Sequence, residues 1–504
     1  MPEKSITGKL LTGAAWIGLS RIAVNLIGII STIVLARLLA PEDFGLVALA
    51  LAFMAVINAF TALPIGMAVI QTKDATHAHY DTAWTLNILR AAIVNGAAVA
   101  LVWPFASFYG DARLVPLLIV IALGSFISAA GNPQMIRLQK DLVFWQIFVV
   151  EFSRRATAFA VAVAIAYYFR SYWALVLGTI AAHVVGLAIG YAIAPYLPRF
   201  TLAKAREMLS FSIWMSLSQI INTLSWRLDH FLIGGVLGQT QLGIYTVGND
   251  LAGVATRDGL AVVQSTLFPG FAKVNGGGEI IEALRRSQSF ISMFALPIGV
   301  GTALVADPLI PIAVGEKWRE AIPIVQVCAC IFAFQSLTHA ANPLILAQGR
   351  PRLLFFRDAL LAAYRTPLII AGVLLAGIPG ILMARAISGP SLVFINLALL
   401  RRITGAGYWA PLACSKRSII SVVVMGASVL LLRPLLFSGE SQNAQFMGLA
   451  ASIALGAIVY GAAHAGLWIA GGRPKGPEAL VLQSALAGRA KFYELIKKKF
   501  RAIT

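Results

Sequence analysis

The chain is dominated by apolar stretches that polar residues seldom interrupt. Fourteen runs of about 20 apolar residues follow one another, near 10–36, 44–70, 82–107, 114–136, 147–169, 172–194, 210–236, 244–269, 288–314, 322–347, 358–376, 378–400, 418–437 and 447–470. Each is long enough to cross a hydrocarbon core about 30 Å thick as a helix. The expected fold is therefore an all-α polytopic membrane protein with about 14 transmembrane helices. Of 504 residues, 59% are hydrophobic and 12% charged, against about 25% charged in soluble domains. That excludes a soluble enzyme, a disordered chain and a disulfide scaffold. The fifth run is interrupted by Glu151, Arg154 and Arg155, and the eleventh and twelfth are parted only by a turn at Gly377-Ile378-Pro379-Gly380.

Lys and Arg number 40 against 21 Asp and Glu, a net charge of +19. In a soluble protein this excess would indicate nucleic acid; here most of it lies between apolar runs and reports membrane orientation instead. One set of connections holds only Arg37, Arg113, Arg170, Lys317, Arg319 and Arg433, while the basic residues of the other set and the tail far outnumber them. The bias puts both termini in the cytoplasm, in agreement with an even number of spans. The first run is long and lacks a small-residue cleavage site, so it reads as a retained helix. All outer connections are short. After a breaker-rich linker at Gly471–Pro477, the tail carries Phe492, Leu495, Ile496, Phe500 and Ile503 at helical spacing among Lys and Arg, a pattern suited to an anionic leaflet.

Nothing in the sequence indicates a metal, a cofactor or a catalytic apparatus. Cys328, Cys330 and Cys414 sit in or beside apolar segments without disulfide or zinc spacing. The six histidines are scattered, no Walker loop occurs, and no Ser/His/Asp signature is visible.

The sequence also repeats. At an offset of 198, Ser20 meets Ser218, Ile22 meets Ile220, Leu39 meets Leu237 and Gly45 meets Gly243. Six spans separate the copies, so both have the same orientation. Two six-helix lobes related by an axis along the membrane normal are expected, with a substrate site between them. The expected division is a cytoplasmic N-terminus (1–9), an N-lobe (10–194), a linker (195–209), a C-lobe (210–403), a C-terminal helix pair (418–470) and a basic tail (471–504).

Ionisable residues inside spans each cost about 2.5–3.5 kcal/mol at the bilayer centre, and so mark function. Six are arginines: Arg21, Arg90, Arg227, Arg257, Arg365 and Arg385. Against them stand Asp229, Asp250 and Asp258. Pairing leaves a positive surplus that an anion in a hydrated cavity would meet, and a guanidinium donates two parallel hydrogen bonds to phosphate. Arg21, Arg90, Arg257, Arg365 and Arg385, with Asn25, are the expected substrate-binding residues; the three aspartates are candidates for ion coupling. Arg227 with Asp229 also reads as a local structural pair. In-span amides, hydroxyls and tryptophans could hold sugar rings.

The segment Leu35–Ala50 (LARLLAPEDFGLVALA) resembles the first outer turn of the Wzx-type polysaccharide repeat-unit flippases, members of the multidrug/oligosaccharidyl-lipid/polysaccharide exporter superfamily. Asp229–Tyr245 resembles the family's seventh-to-eighth-helix turn, and Val314–Pro323 its ninth-to-tenth-helix turn. The resemblance covers roughly residues 5–405. It implies two lobes around a cationic cavity, alternating access, and a lipid-linked oligosaccharide on undecaprenyl pyrophosphate as cargo. It further implies an inner-membrane location, with a polysaccharide polymerase and a chain-length regulator as partners besides membrane lipids, and no nucleic acid. In the related lipid II flippase, arginines of helices one and eight contact pyrophosphate; Arg21 and Arg257 match those positions. Two rivals are a cation-coupled multidrug exporter, which needs an acidic cavity, and a membrane-embedded glycosyltransferase or polymerase with Glu42-Asp43 as an acidic pair.

Overall fold

The computed structural model describes residues 23–61, 65–72, 74–141, 143–209, 213–254, 256, 267, 271, 277–405, 407–437, 441–474 and 476–479. Arg21, Arg257, Asp258 and the amphipathic part of the tail lie outside the described residues. Every regular element among the described residues is helical. In chain order they begin with α1 (Ala23–Leu38), α2 (Pro41–Phe60), α3 (Ile65–Gln71), α4 (His77–Tyr109), α5 (Leu114–Ala129) and α6 (Gln134–Lys140). Then come α7 (Phe144–Phe169), α8 (Trp173–Ile193), α9 (Ala205–Leu209), α10 (Ile213–Leu232) and α11 (Gln239–Gly253). The remainder are α12 (Gly277–Val314), α13 (Ile322–Gln335), α14 (Ala341–Ala347), α15 (Pro351–Thr404), α16 (Ala410–Ala413), α17 (Lys416–Leu436) and α18 (Gln442–Ala470).

Helix ends follow local chemistry. Pro41 opens α2, where a missing N–H costs nothing, and the Asp43 carboxylate accepts the Ala40 N–H at 2.9 Å. Glu42 and Asp43 thus start a helix. Gly110 (φ 66°) ends α4 in the left-handed region. Between α10 and α11 the helix widens into a π segment, Ile233–Leu237, before Gly238 turns the chain at φ 88°.

Among the described residues, eight stretches are long and apolar enough to cross a bilayer, or nine if the bent pair of α5 and α6 forms one span. The expected count of fourteen is not what these helices return, and the reasons are specific. The eleventh and twelfth runs form one 54-residue element, α15, broken at Gly377 (φ 60°, ψ −134°). The fifth run, α7, holds Glu151, Arg154 and Arg155, and the first is described only from Ala23. Most of residues 255–276 lie outside the described set.

The chain forms two compact units. The first comprises Met1–Val254, Ile310–Cys328 and Arg350–Ser388, the second Ala255–Leu309, Ala329–Gly349 and Gly389–Thr504. Within the first unit, α2 and α11 cross backbone against backbone. A Cβ on Gly45 would stand 1.8 Å from the Gln239 carbonyl oxygen, and one on Gly243 would stand 1.8 Å from that of Pro41. The contact is reciprocal, and the offset of 198 carries Gly45 onto Gly243 and Pro41 onto Gln239. Other seams in this unit use small residues too: Gly178 of α8 lies on Ala158 and Ala162 of α7, and Gly372 meets Gly380 across the α15 break. Lipid offers apolar side chains no incentive to leave it, so such close backbone approach supplies the packing energy.

In the second unit, α12 packs on the α17–α18 hairpin around Leu296, Ala333, Val422 and Met425. Three buried polar groups there are paired across elements: Ser292 with Ser415 at 2.7 Å, the Gln288 amide donating to Ser336 O at 2.8 Å, and the Tyr460 hydroxyl donating to Met293 O at 2.7 Å. Leu375, Leu431, Leu435 and Met447 are exposed. In water they would be an aggregation hazard; on a spanning bundle they face acyl chains.

The crossing predicts a sharp positional effect. Gly243→Val should destabilise the detergent-solubilised protein by about 1–3 kcal/mol or more through overpacking against fixed backbone. Gly96→Val, where a Cβ meets nothing within 4 Å, should shift the thermal midpoint far less.

Candidate functional site: a cationic cavity and a buried arginine network

The first unit encloses a cavity of about 620 Å³ walled by α2, α4, α5, α8 and α10. Among the described residues its polar lining comprises Asn58, Asn87, Arg90, Ser125, Ser128, Asn132, Thr179, His183 and Arg227, with no Asp or Glu. Several of these groups are already fixed in place. Asn132 donates to the carbonyls of Gly190 and Ala194 (2.9 and 2.6 Å) and accepts from Gln134 N (2.9 Å). His183 Nδ1 lies 2.8 Å from Gly124 O, and Asn58 donates to Met54 O at 2.8 Å. The Arg90 Nε–H, by contrast, is buried without a hydrogen-bond partner among the described residues. Two guanidiniums in a low-dielectric wall bearing amides and hydroxyls make a receptor for an anion that also carries hydroxyl groups.

Arg227 and Asp229, two residues apart on α10, serve different places. Asp229 is 1% exposed and points into the protein. It accepts from Arg365 Nη2 at 2.9 and 3.1 Å and from the Tyr245 hydroxyl at 2.7 Å. Arg385 Nη1 donates to the same Tyr245 oxygen at 2.6 Å and to Asn249 Oδ1 at 2.8 Å. Both guanidiniums stand over the Trp226 ring, 4.4 Å (Arg365) and 5.5 Å (Arg385) from its centroid. The cluster links α10, α11 and α15 within the first unit.

The sequence-predicted site residues therefore separate. Arg90 lines the cavity. Arg365 and Arg385, 8% and 4% exposed, do not; they are bound into the network. Asp229 holds Arg365 in a buried ion pair. Asn25 is half-buried on α1, Asp250 is exposed on α11, and neither lines this cavity. Arg21, Arg257 and Asp258 fall outside the described residues. The accounting of three in-span acids also omitted Asp307 and Asp358. Asp358 is buried, accepting from Arg357 (2.7 Å) and from Ser218 (2.5 Å), and Asp307 pairs with Arg433. Sequence reasoning missed Arg227 as a cavity residue. It also missed the same-face pairs Ser125/Ser128 and Thr179/His183, whose i,i+3 and i,i+4 spacing in apolar helices was the available signal.

The end of the first unit that carries Pro41 is tied by reciprocal capping. Arg37 donates to the carbonyls of Ile312 and Ala313 near the end of α12. Lys317 donates back to Arg37 O (3.0 Å) and Leu39 O (2.6 Å) past the end of α1, and the Trp318 indole donates to Ala36 O (2.8 Å). Beside this, Arg113 bridges Asp111 and Glu42 at 2.8 and 2.7 Å, and Gln239 donates to Asp111 at 2.6 Å. Glu42 is a partner of Arg113 and Asp43 a helix cap, which gives the acidic pair structural roles. Burial pushes the Asp111 carboxyl up, but hydrogen bonds from Arg113 and Gln239 outweigh it and hold the group below the usual carboxylate range.

Two tests follow from this geometry. Asp229→Ala leaves Arg365 buried without its counter-charge and should cost about 3–5 kcal/mol, whereas the double change Asp229→Leu/Arg365→Met should recover much of it. Thermal unfolding of the purified variants measures both, and a single variant as stable as wild type would dismiss the network as a stabilising element. For Asp111, a lowered carboxyl stabilises the fold above its unfolded value and loses that contribution as pH falls through the lowered one. The gap in thermal midpoint between wild type and Asp111→Asn should thus stay constant from pH 8 to pH 5 and close only below about pH 4. A gap that varied across the neutral range would assign the effect to another group.

Comparison with known proteins places this geometry in a lineage. The chain is 24% identical over 439 residues to the lipopolysaccharide biosynthesis protein WzxC of Escherichia coli (strain K12), covering 84% of this chain and 88% of WzxC. It is 25% identical over 485 residues to the succinoglycan biosynthesis transport protein ExoT of Rhizobium meliloti (strain 1021), covering 90% and 93%. Among solved structures, the inward closed conformation of the lipid II flippase MurJ superposes with a TM-score of 0.68 at 13% identity, over 90% of this chain and 98% of that one. An inward-facing MATE-family multidrug transporter gives 0.61 at 13% identity, over 77% and 98%. Residues 34–323, more than half of the sequence, match the family described as polysaccharide biosynthesis protein, and the chain belongs to that family.

Proposed function

We propose that this protein is a flippase for undecaprenyl-pyrophosphate-linked oligosaccharide repeat units, supplying exopolysaccharide or lipopolysaccharide assembly. The observation that carries the reading is the cavity wall: Arg90 and Arg227 with amides, hydroxyls and no carboxylate. A pyrophosphate brings negative charge and sugars bring hydroxyls, and this lining offers a partner for each. An organic cation would find no counter-charge there, which argues against drug export. The relatives are proteins of lipopolysaccharide and succinoglycan biosynthesis, and the bundle resembles a lipid II flippase.

In this reading Arg90 and Arg227 receive the phosphates, together with Arg21 and Arg257 as the family resemblance implies. Arg365 and Arg385 hold α10, α11 and α15 in register instead of binding cargo. Asp250 and Asp258 stay candidates for a coupling ion, while Asp229 is committed to Arg365. The excess of Lys and Arg on one set of loops supports an inner-membrane orientation with both termini cytoplasmic. The capped Pro41 end is then the outer end. Handover to a polymerase and a chain-length regulator completes the proposed route.

A leaflet-accessibility assay with reconstituted protein and labelled oligosaccharide pyrophosphoryl lipid tests this. Arg90→Ala and Arg227→Ala should each reduce flipping about tenfold or more, the worth of a charge-assisted hydrogen bond. Arg319→Ala, on an exposed surface turn, should not. Full flipping in the Arg90→Ala/Arg227→Ala double variant sinks the site assignment; no flipping by wild type sinks the function.

A further inference from the structure

The second unit has a cavity of its own, about 760 Å³, between α12 and the α17–α18 hairpin. Its wall is almost wholly apolar, with Phe294, Leu304, Met425 and Ile453 among the lining residues. Such a volume is in the range that holds a small organic ligand or lipid chains. Among the described residues of the wall the titratable groups are Tyr460, whose hydroxyl is spent on Met293 O, and the pair His464 and Glu478.

Glu478 belongs to the segment that follows the last span, and that segment folds back. The Trp468 indole donates to Pro474 O at 3.1 Å. Glu478 Oε1 then sits 2.8 Å from Arg417 Nη1, at the start of α17, and 3.2 Å from His464 Nε2. Glu478 is 8% exposed and His464 4%. Glu478 Oε2 and His464 Nδ1 are buried with no hydrogen-bond partner among the described residues. A carboxylate has been brought into an apolar mouth where half its hydrogen-bonding capacity goes unmet, a costly arrangement unless the same place serves another anion.

We propose that Arg417 and His464 form a phosphodiester site for an anionic glycerophospholipid, its acyl chains in the apolar cavity, and that Glu478 occupies the phosphate position in this structure. Charge selects the ligand. Glu478 brings one negative charge, and a phosphodiester brings one; a pyrophosphate brings more than a single guanidinium and an imidazole would match. Location agrees: Arg417 adjoins Lys416 at the end of α17 that the loop charges place toward the anionic leaflet. Lipid and Glu478 therefore compete, and the lipid that enters displaces the carboxylate from Arg417 and His464.

The full chain, purified and delipidated in detergent, is titrated with dioleoyl phosphatidylglycerol and with dioleoylglycerol, and retention is read by native mass spectrometry. Wild type should hold one phosphatidylglycerol. Glu478→Gln should tighten that binding about three- to tenfold by removing the competitor. Gly476→Ala should do the same with every charge kept, because a Cβ there would stand 2.6 Å from Glu478 Oε2 and displace it. Arg417→Gln should lose the preference for phosphatidylglycerol over dioleoylglycerol. Thermal unfolding confirms that each variant is folded, and Gly476→Ala decides if Glu478→Gln is not. Unchanged or weaker binding in both tail variants overturns the proposal, as does equal retention of dioleoylglycerol, which would mean apolar filling alone. Displacement of the phospholipid by a polyprenyl pyrophosphate at lower concentration overturns it in favour of a cargo site. The readout is lipid retention, so it stands apart from the flipping assay.

Discussion

A guanidinium buried in a membrane bundle needs an acceptor, and the rest of this structure is arranged around where each one finds it. Arg365 is matched by Asp229, Arg385 by Tyr245 and Asn249, and Arg357 by Asp358. The first two matches tie together helices that lipid would otherwise leave free to slide, because apolar side chains gain little by exchanging lipid for one another; Asp358 reaches α10 through Ser218. Breaking such a pair is far more damaging than the pair's net worth, since the surviving charge cannot return to water. The arginine network thus acts less as glue than as a constraint on register among α10, α11 and α15.

The contrast between two neighbours on α10 makes the division of labour concrete. Asp229 turns inward to complete the network, whereas Arg227 turns to a cavity wall with no carboxylate. One helix thereby anchors the scaffold on one face and presents charge on another. Directly after it the backbone widens into the π segment and turns at Gly238, so that α11 can return across α2 at glycine-to-glycine distance. Anchoring, presentation and turn occupy a single short stretch of chain, and a change in one is felt by the others.

Much of the fold was legible because its signals are local or periodic. Runs of apolar residues mark helices, Gly377 with Pro379 marks the break in α15, and Pro41 with Asp43 marks a helix start. The offset of 198 picked out Gly45 and Gly243 before any contact between them was visible. The site was less legible for a physical reason. Asp229 and Arg365 are 136 residues apart, and no spacing rule says which of several in-span charges will meet. Counting arginines against acids could not say which would stand on a cavity wall, as Arg90 and Arg227 do, and it left out Asp307 and Asp358, which pair with Arg433 and Arg357. Span number suffered similarly: α7 has the length of a span, yet its charged residues spoil the apolar criterion.

The α2–α11 crossing has a consequence for how such a chain can change over generations. Each glycine there is confined by a main-chain carbonyl of the opposite helix, and a carbonyl cannot be trimmed by mutation. A compensating substitution across the crossing is therefore impossible in principle. Charge and loop length can change elsewhere, but at this one point α2 and α11 can change only together with the path of their backbones.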